Sequence, residues 1–127
     1  MIVKKMIAEI GTVLNNEEIA HGIYQMTFSA EKICNEDPFP GQFLNICVDN
    51  TWGHPLRRPM SIADVNNDKL SIIYKIFGEG STMLSEFSKG SSVDLLGPLG
   101  NSYKETEGTT PILIGGGVGL APIIWFN

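Results

Sequence analysis

With 127 residues, of which 43% are hydrophobic and 18% are charged, the chain is long enough for one domain with a buried core and too apolar to be disordered. Its formal net charge of −5 argues against the basic surface on which non-specific nucleic-acid binding depends, so no nucleic-acid partner is expected. Residues 111–126 form the longest apolar stretch, but four glycines interrupt it and it is shorter than the roughly 18 residues of a membrane span. Residues 1–7 lack the features of a secretory signal, so a cytoplasmic protein without a membrane partner is expected.

Most of the chain has the alternation of apolar and polar residues that is typical of β-strands. Turn signals at 15–18, 36–41, 49–55 and 66–68 separate the strands. The predicted strands are 2–14, 22–29, 42–48, 61–65, 69–77 and 92–96, the last of them stopped by 97–100. Strands at this regular spacing favour an antiparallel barrel or sandwich.

One short helix interrupts the strand pattern. Met83, Leu84 and Phe87 recur at helical spacing within 82–87, and Gly90 is a plausible C-cap residue. The sequence therefore predicts a single helix between the fifth and sixth strands.

The pattern changes again after the sixth strand. A polar, acidic linker at 101–110 precedes the apolar run 111–114, a glycine run and a second apolar run at 120–126. A strand, a glycine-rich turn and a helix start are typical of the first unit of an α/β nucleotide-binding domain. Gly115, Gly116, Gly117 and Gly119 are weak nucleotide-binding candidates, because they lack the full GxGxxG spacing. Since such a unit cannot bury its own faces, we expect the chain to be part of a two-domain protein.

The chain's two arginines are adjacent, at Arg57 and Arg58, and the sequence continues with Pro59, Met60 and Ser61 at a strand entrance. A guanidinium group binds phosphate through paired, charge-assisted hydrogen bonds. The residues by themselves are equally compatible with an anion site and with a solvated basic loop.

Other reactive side chains give little signal. Cys34 and Cys47 have no metal-ligand spacing, so no metal site is predicted and two free thiols are expected. His54 and Trp52 lie near the arginines, but a loop histidine beside a proline is more often solvated than functional. There is no nucleophile–base pattern, so no catalytic side chain is assigned and chemistry carried by a cofactor is favoured.

Four motifs stand in the order seen in ferredoxin–NADP reductase-like flavoproteins, which the chain resembles. They are Arg58-Pro59-Met60-Ser61, Gly78-Glu79-Gly80-Ser81-Thr82, Gly97-Pro98-Leu99-Gly100 and the run from Gly115 to Pro122. The sequence of residues 57–62 most resembles that of the electron-transfer subunits of class 1B dihydroorotate dehydrogenase. The resemblance implies a mainly β fold: a six-stranded antiparallel Greek-key flavin-binding barrel over 1–100, followed by the start of an α/β nucleotide-binding domain at 111–127.

The resemblance also implies which residues hold FAD. Arg58 would bind its diphosphate, Met60 would lie against the isoalloxazine ring where relatives have an aromatic residue, and Ser61 would hydrogen-bond near N5. Backbone groups would hold the ribityl chain and the diphosphate. The complete set of predicted cofactor-binding residues is Arg58, Pro59, Met60, Ser61, Ile73, Tyr74, Lys75, Gly80 and Ser81.

The implied function is electron transfer between NAD(H) and a catalytic dihydroorotate dehydrogenase subunit, in a hetero-oligomer of pyrimidine biosynthesis. NAD and a [2Fe–2S] cluster are expected only in the intact protein, and the chain alone is not expected to be a competent oxidoreductase. Two alternatives stay open: a subunit of the sulfide dehydrogenase or ferredoxin–NADP oxidoreductase type, and a non-catalytic flavin-binding module.

Overall fold

Residues 5–127 form six strands, which follow the alternating pattern of the sequence, and three short α-helices. The computed structural model describes residues 5–127, and the predicted strand residues before 5 lie outside this range. The elements in chain order are β1 (Ile7–Ala20), β2 (Ile23–Ser29), α1 (Glu31–Cys34), β3 (Phe43–Cys47), β4 (Arg58–Asn66), β5 (Lys69–Lys75), α2 (Glu79–Ser85), β6 (Ser92–Leu99), a 3-10 turn (Gly117–Gly119) and α3 (Leu120–Phe126).

The strands close into an antiparallel barrel in the order β1-β2-β5-β4-β3-β6. Strands β3, β4 and β5 are consecutive neighbours and β6 returns beside β3, which is the Greek-key order. The predicted mainly β fold with a six-stranded antiparallel barrel is confirmed. None of the helices in the described residues is long and apolar enough to cross a bilayer.

The barrel interior is filled by the inward-facing residues of each strand. Across β2 and β5, Met26 lies opposite Ile72 and Phe28 opposite Leu70, and all four side chains are buried. Burying a side chain of this size stabilises the fold by about 1.5–3 kcal/mol. The core also fixes the register, because a shift by one residue would turn these side chains to solvent.

Strand β1 is longer than predicted, and the turn predicted at 15–18 is wrong. The strand passes through these residues with register shifts and pairs with β2 as far as Ala20. Asn16 has a tertiary role instead: its side-chain amide donates to backbone carbonyls at the end of α2, and its oxygen accepts a hydrogen bond from the Tyr74 hydroxyl at 2.9 Å. Asparagine is common in turns, but the Asn16 side chain instead joins β1 to the end of α2.

Strand β6 continues through the motif that was predicted to stop it. Gly97 pairs with Ile7, and Leu99 pairs with Phe43, with a cis peptide bond between Gly97 and Pro98. A Cβ at Gly97 would lie 2.5 Å from a methyl carbon of Leu44. This glycine therefore allows close packing within the barrel and does not form a turn.

The helices also differ from the prediction. Helix α2 begins at Glu79, three residues earlier than predicted, and ends at Ser85. The single-helix prediction is wrong because α1 adds one turn after β2. The Glu9 carboxylate accepts hydrogen bonds from two backbone N–H groups of α1, a contact between distant parts of the chain that local patterns do not reveal.

The C-terminal segment contains no strand at 111–114, although its apolar residues favoured one. A strand needs a neighbouring edge to pair with, and among the described residues 111–114 pair with none of the six barrel strands. The helix start predicted after the glycine run is present as α3, which lies against β4 and buries Ala121 and Pro122. The ring of Phe126 meets that of Tyr103 edge-on at 5.3 Å, so the predicted linker touches α3.

Candidate functional site

The barrel opens where β4 and β5 separate. In the described chain, β4 pairs with β5 only from Ile62 to Asn66. Before Ile62, β4 pairs with β3, and after Ile72, β5 pairs with β2. Helix α2 begins a few residues after β5 ends. Two strand edges and the start of a helix therefore surround a gap.

This gap is a cleft of about 400 Å³, within the size range of small-molecule sites. It unites residues from the β3–β4 loop, β4, β5 and α2. The lining residues are His54, Arg58, Pro59, Met60, Lys75, Phe77, Glu79, Gly80 and Ser81. Six of the nine sequence-predicted cofactor residues are thus together in one place: Arg58, Pro59, Met60, Lys75, Gly80 and Ser81.

The Arg58 guanidinium lies directly on Gly80. A Cβ at Gly80 would come within 2.5 Å of Arg58 Nε and 3.1 Å of Cζ, so only glycine leaves the guanidinium this room. Arg58 donates a hydrogen bond to the Leu56 carbonyl at 2.7 Å. Among the described residues, no carboxylate lies within 4.0 Å of it. An arginine held in a cleft without a carboxylate partner is suited to a bound anion.

The neighbouring Arg57 has a different environment. It forms an ion pair with Asp94 of β6 at 2.8 Å, and it also donates to the Asp94 backbone carbonyl at 3.2 Å. Its guanidinium therefore ties the end of the β3–β4 loop to β6. The structure separates the two adjacent arginines into one that holds the barrel and one that faces the cleft.

The remaining predicted residues of β4 divide between the cleft and the surface. Met60 is half-buried against the core, and Pro59 lies beside it at the cleft. Ser61 is exposed and lies outside the lining of this cleft. Met60 therefore lies where it could contact a ring bound in the cleft. Ser61 does not line the cleft.

Of the three predicted residues of β5, only Lys75 lines the cleft. The Tyr74 side chain is buried, its ring stacks on Tyr24 with centroids 5.7 Å apart, and burial raises the pKa of its hydroxyl to about 12. Lys75 is exposed and places a second cation in the cleft. Ile73 lines a separate cleft of about 360 Å³ that includes Trp125 of α3.

The Ser81 hydroxyl, in the first turn of α2, bonds to the residues that precede the helix. It accepts a hydrogen bond from the Phe77 N–H at 2.6 Å and donates to the Gly78 carbonyl at 3.2 Å. These bonds shape the entry to α2, where the first N–H groups of a helix have no acceptor within the helix. Ser81 thus positions the backbone at the cleft, and its side chain does not need a ligand.

Sequence reasoning missed three cleft residues. Phe77 has an exposed fraction of 91% at the rim. His54 Nε2 lies 2.9 Å from Glu79 Oε2, and His54 Nδ1 lies 3.6 Å from Asp49 Oδ2. The hydrogen bond to Glu79 is the main cause that raises the pKa of His54. Glu79 stands inside the glycine motif and His54 lies near the arginines in the sequence, whereas Phe77 had no local signal.

The glycine run lies away from this cleft. Residues 115–119 are exposed, and Gly117 has a positive φ of 56° in the turn before α3. Nucleotide binding by these glycines stays a prediction.

Comparison with known proteins gives a consistent set of relatives. The chain is 40% identical over 114 residues to the dihydroorotate dehydrogenase B (NAD(+)) electron transfer subunit of Caldanaerobacter subterraneus subsp. tengcongensis, which covers 89% of this chain and 44% of the relative. It is 44% identical over 119 residues to the subunit of that name in Bacillus pumilus, covering 88% and 45%. The chain therefore spans about half the length of the curated relatives it matches. No protein-family model matches it.

Solved structures share the fold. A NADH-dependent reduced ferredoxin–NADP oxidoreductase, a structure described for flavin-based electron bifurcation, has a TM-score of 0.80 and 24% identity, covering 91% of this chain and 41% of that one. An Amycolatopsis cytochrome P450 reductase also has a TM-score of 0.80, with 22% identity, covering 99% and 39%. A Malassezia yamatoensis flavohemoglobin with bound FAD and heme has a TM-score of 0.75 and 19% identity, covering 94% and 33%.

Proposed function

We propose that this chain is the FAD-binding part of an electron-transfer subunit of the dihydroorotate dehydrogenase B type, because it is 40–44% identical to parts of such subunits and shares its barrel fold with a ferredoxin–NADP oxidoreductase. The observation that carries the proposal is the position of Arg58. Its guanidinium lies against Gly80 at the opening between β4 and β5, without a carboxylate partner among the described residues.

The cleft fits a diphosphate with a flat ring system attached. Arg58 and Lys75 supply positive charge, and Gly80 lets a ligand approach the backbone closely. Met60 offers a thioether surface for the ring, a contact that stabilises by roughly 0.3–1.5 kcal/mol. The unpaired edges of β4 and β5 supply backbone donors and acceptors, as proposed for Ile73 and Tyr74.

Each residue has a role in binding and none is assigned to bond cleavage. Arg58 neutralises the diphosphate, the loop around Ser81 holds the backbone in place, and Met60 and Pro59 exclude water from one side of the ring. FAD, when bound, supplies the capacity to accept a hydride and release single electrons. Ser61 lies one residue beyond Met60, and we keep it as a candidate partner of the reactive ring nitrogen.

For the whole protein, we propose electron transfer between NAD(H) and a catalytic dihydroorotate dehydrogenase subunit in a hetero-oligomer. The name of the relatives at 40% and 44% identity favours this reading over a sulfide dehydrogenase or ferredoxin–NADP oxidoreductase type of subunit. We further propose that residues 111–127 belong to a second, nucleotide-binding domain joined through 101–110. The exposure of Ile112 and Ile114 supports this, because both are 85% exposed and available to another layer.

A titration of the purified chain with FAD tests the site. Arg58→Ala should weaken FAD binding by about 10- to 150-fold, which corresponds to about 1.5–3 kcal/mol for a hydrogen bond to a charged group. Arg57→Ala is the matched control, because the same charge is lost from a side chain paired with Asp94. Unchanged affinity in Arg58→Ala, or an equal loss in both variants, would refute the assignment of Arg58.

Anaerobic addition of NADH separates a flavin-binding part from a complete reductase. We expect FAD bound to this chain to be bleached by dithionite and to stay oxidised with NADH, because the proposed nicotinamide site belongs to the second domain. Bleaching by NADH would contradict this division of roles.

A further inference from the structure

His54 connects the β3–β4 loop to the start of α2 at the mouth of the cleft. Its ring lies between two carboxylates, with Nε2 at 2.9 Å from Glu79 and Nδ1 at 3.6 Å from Asp49. The Asp49 carboxylate is already held by the Thr51 backbone N–H at 3.0 Å and by the Thr51 hydroxyl. Asp49 would therefore stay in place without His54, whereas the position of Glu79 depends on its bond to His54.

Among the described residues that line the cleft, Glu79 is the one carboxylate, and Arg58 and Lys75 supply positive charge. It directly precedes Gly80, on which the Arg58 guanidinium lies. Its side chain is 85% exposed, so few contacts other than His54 restrain it. A free carboxylate at this position would repel an anion in the cleft and would compete for Arg58.

We propose that His54 is a positioning residue of the cofactor site: its charged ring holds the Glu79 carboxylate away from Arg58 and thereby keeps Arg58 available for a diphosphate. This inference rests on the proposed FAD site and deepens it. It explains why an anion site contains a carboxylate, since that carboxylate is neutralised by the neighbouring loop.

The arrangement makes anion affinity depend on pH. The groups facing His54 are Glu79 and Asp49, and both favour the charged ring, so its pKa is raised. Affinity for the diphosphate is highest below this pKa and falls as the pH rises through it, because the neutral ring releases Glu79 as a charged competitor. The diphosphate of FAD is fully ionised throughout this range and does not contribute to the change.

The test is the affinity for FAD between about pH 6 and pH 9, the range around the ordinary pKa of histidine. We expect the wild-type affinity to fall roughly two- to fivefold, the scale of one exposed ion pair, and the change to shrink at high salt. His54→Gln should bind at the lower level throughout this range. His54→Gln combined with Glu79→Gln should regain the higher affinity at every pH, because the competing carboxylate is gone.

His21 supplies the matched control, since it is the other histidine of the chain and lies exposed in the β1–β2 turn. His21→Gln should keep the wild-type profile. A wild-type profile in His54→Gln, or no recovery in the double variant, overturns this inference alone. A wild-type chain that binds no FAD at any pH overturns the proposed function together with it.

A measurement without ligand tests the pair itself. The ring titration of His54, followed by NMR in the wild type and in Glu79→Gln, should move to lower pH in the variant. An unmoved His54 titration shows that Glu79 does not hold the ring in solution and overturns the inference independently of FAD.

Discussion

Gly80→Ala is the sharpest test of how the cleft works. The added Cβ would lie 2.5 Å from Arg58 Nε and 3.1 Å from Cζ and Nη2, distances at which the guanidinium must move. The clash involves the far end of a flexible side chain, and alanine raises helix propensity over glycine by about 0.8–1.0 kcal/mol. We therefore expect the free energy of unfolding of the ligand-free chain to change by no more than about 1 kcal/mol, because the two effects oppose each other.

The affinity for FAD should respond very differently. Displacing Arg58 from its position loses a charge-assisted contact, so the dissociation constant should rise at least about tenfold, or about 1.4 kcal/mol. Fluorescence titration measures the affinity, and thermal unfolding without ligand measures the stability. Glu86→Ala, an exposed residue at the end of the same helix, is the control and should change neither quantity.

A double-mutant cycle identifies the cause. In an Arg58→Ala background, Gly80→Ala should cost little further affinity, because the group it displaces is already gone. The reasoning would be refuted if Gly80→Ala kept the wild-type affinity, or if it cost as much with Arg58 absent as with Arg58 present.

Two further predictions concern the barrel itself. Asn16→Ala should lower the free energy of unfolding, measured by urea denaturation, by about 1–3 kcal/mol. The variant leaves carbonyls at the end of α2 and the Tyr74 hydroxyl without their hydrogen-bond partner. A change below about 0.5 kcal/mol would contradict this role. Burial, with smaller contributions from nearby carboxylates, raises the pKa of Cys34 to about 11, so its contribution to stability is present below the unfolded pKa near 9.0 and is lost as the pH rises toward 11. In a Cys47→Ser variant, the native thiol absorbance should therefore titrate near 11, and a midpoint near 9 would contradict the burial of Cys34.

Local patterns predicted the strands well where one face of each strand is buried. The alternation in 22–29 and 69–77 predicted the bounds of β2 and β5 to within two residues at each end. Apolar residues at every second position can all be buried only if the segment is a strand with one face toward the core. The same reasoning failed at Asn16 and at Gly97. Asparagine and glycine are common in turns. Here Asn16 instead bonds to α2 and Tyr74, and Gly97 leaves room for the Leu44 side chain.

The candidate site was predictable only in part, because local motifs are visible in the sequence and long-range contacts are not. The motif around Arg58 and the motif around Gly80 were each readable, since both have unusual residues at close spacing. Their meeting in one cleft follows from the separation of β4 from β5, which depends on strand pairing. Phe77 carried no local signal, and His54 was predicted to be solvated although it lies near the arginines. Their place at the cleft depends on where β4, β5 and α2 come together.

The sequence by itself determined the number of barrel strands and the identity of the motifs, because hydrophobic alternation and glycine content are properties of neighbouring residues. Only the tertiary structure decided which of two adjacent arginines faces a ligand. Arg57 is drawn to Asp94 on β6 and Arg58 lies on Gly80 of α2, and these partners are 37 and 22 positions away in the chain. Electrostatic pairing acts through space, so two identical side chains in sequence acquire different roles once the barrel closes.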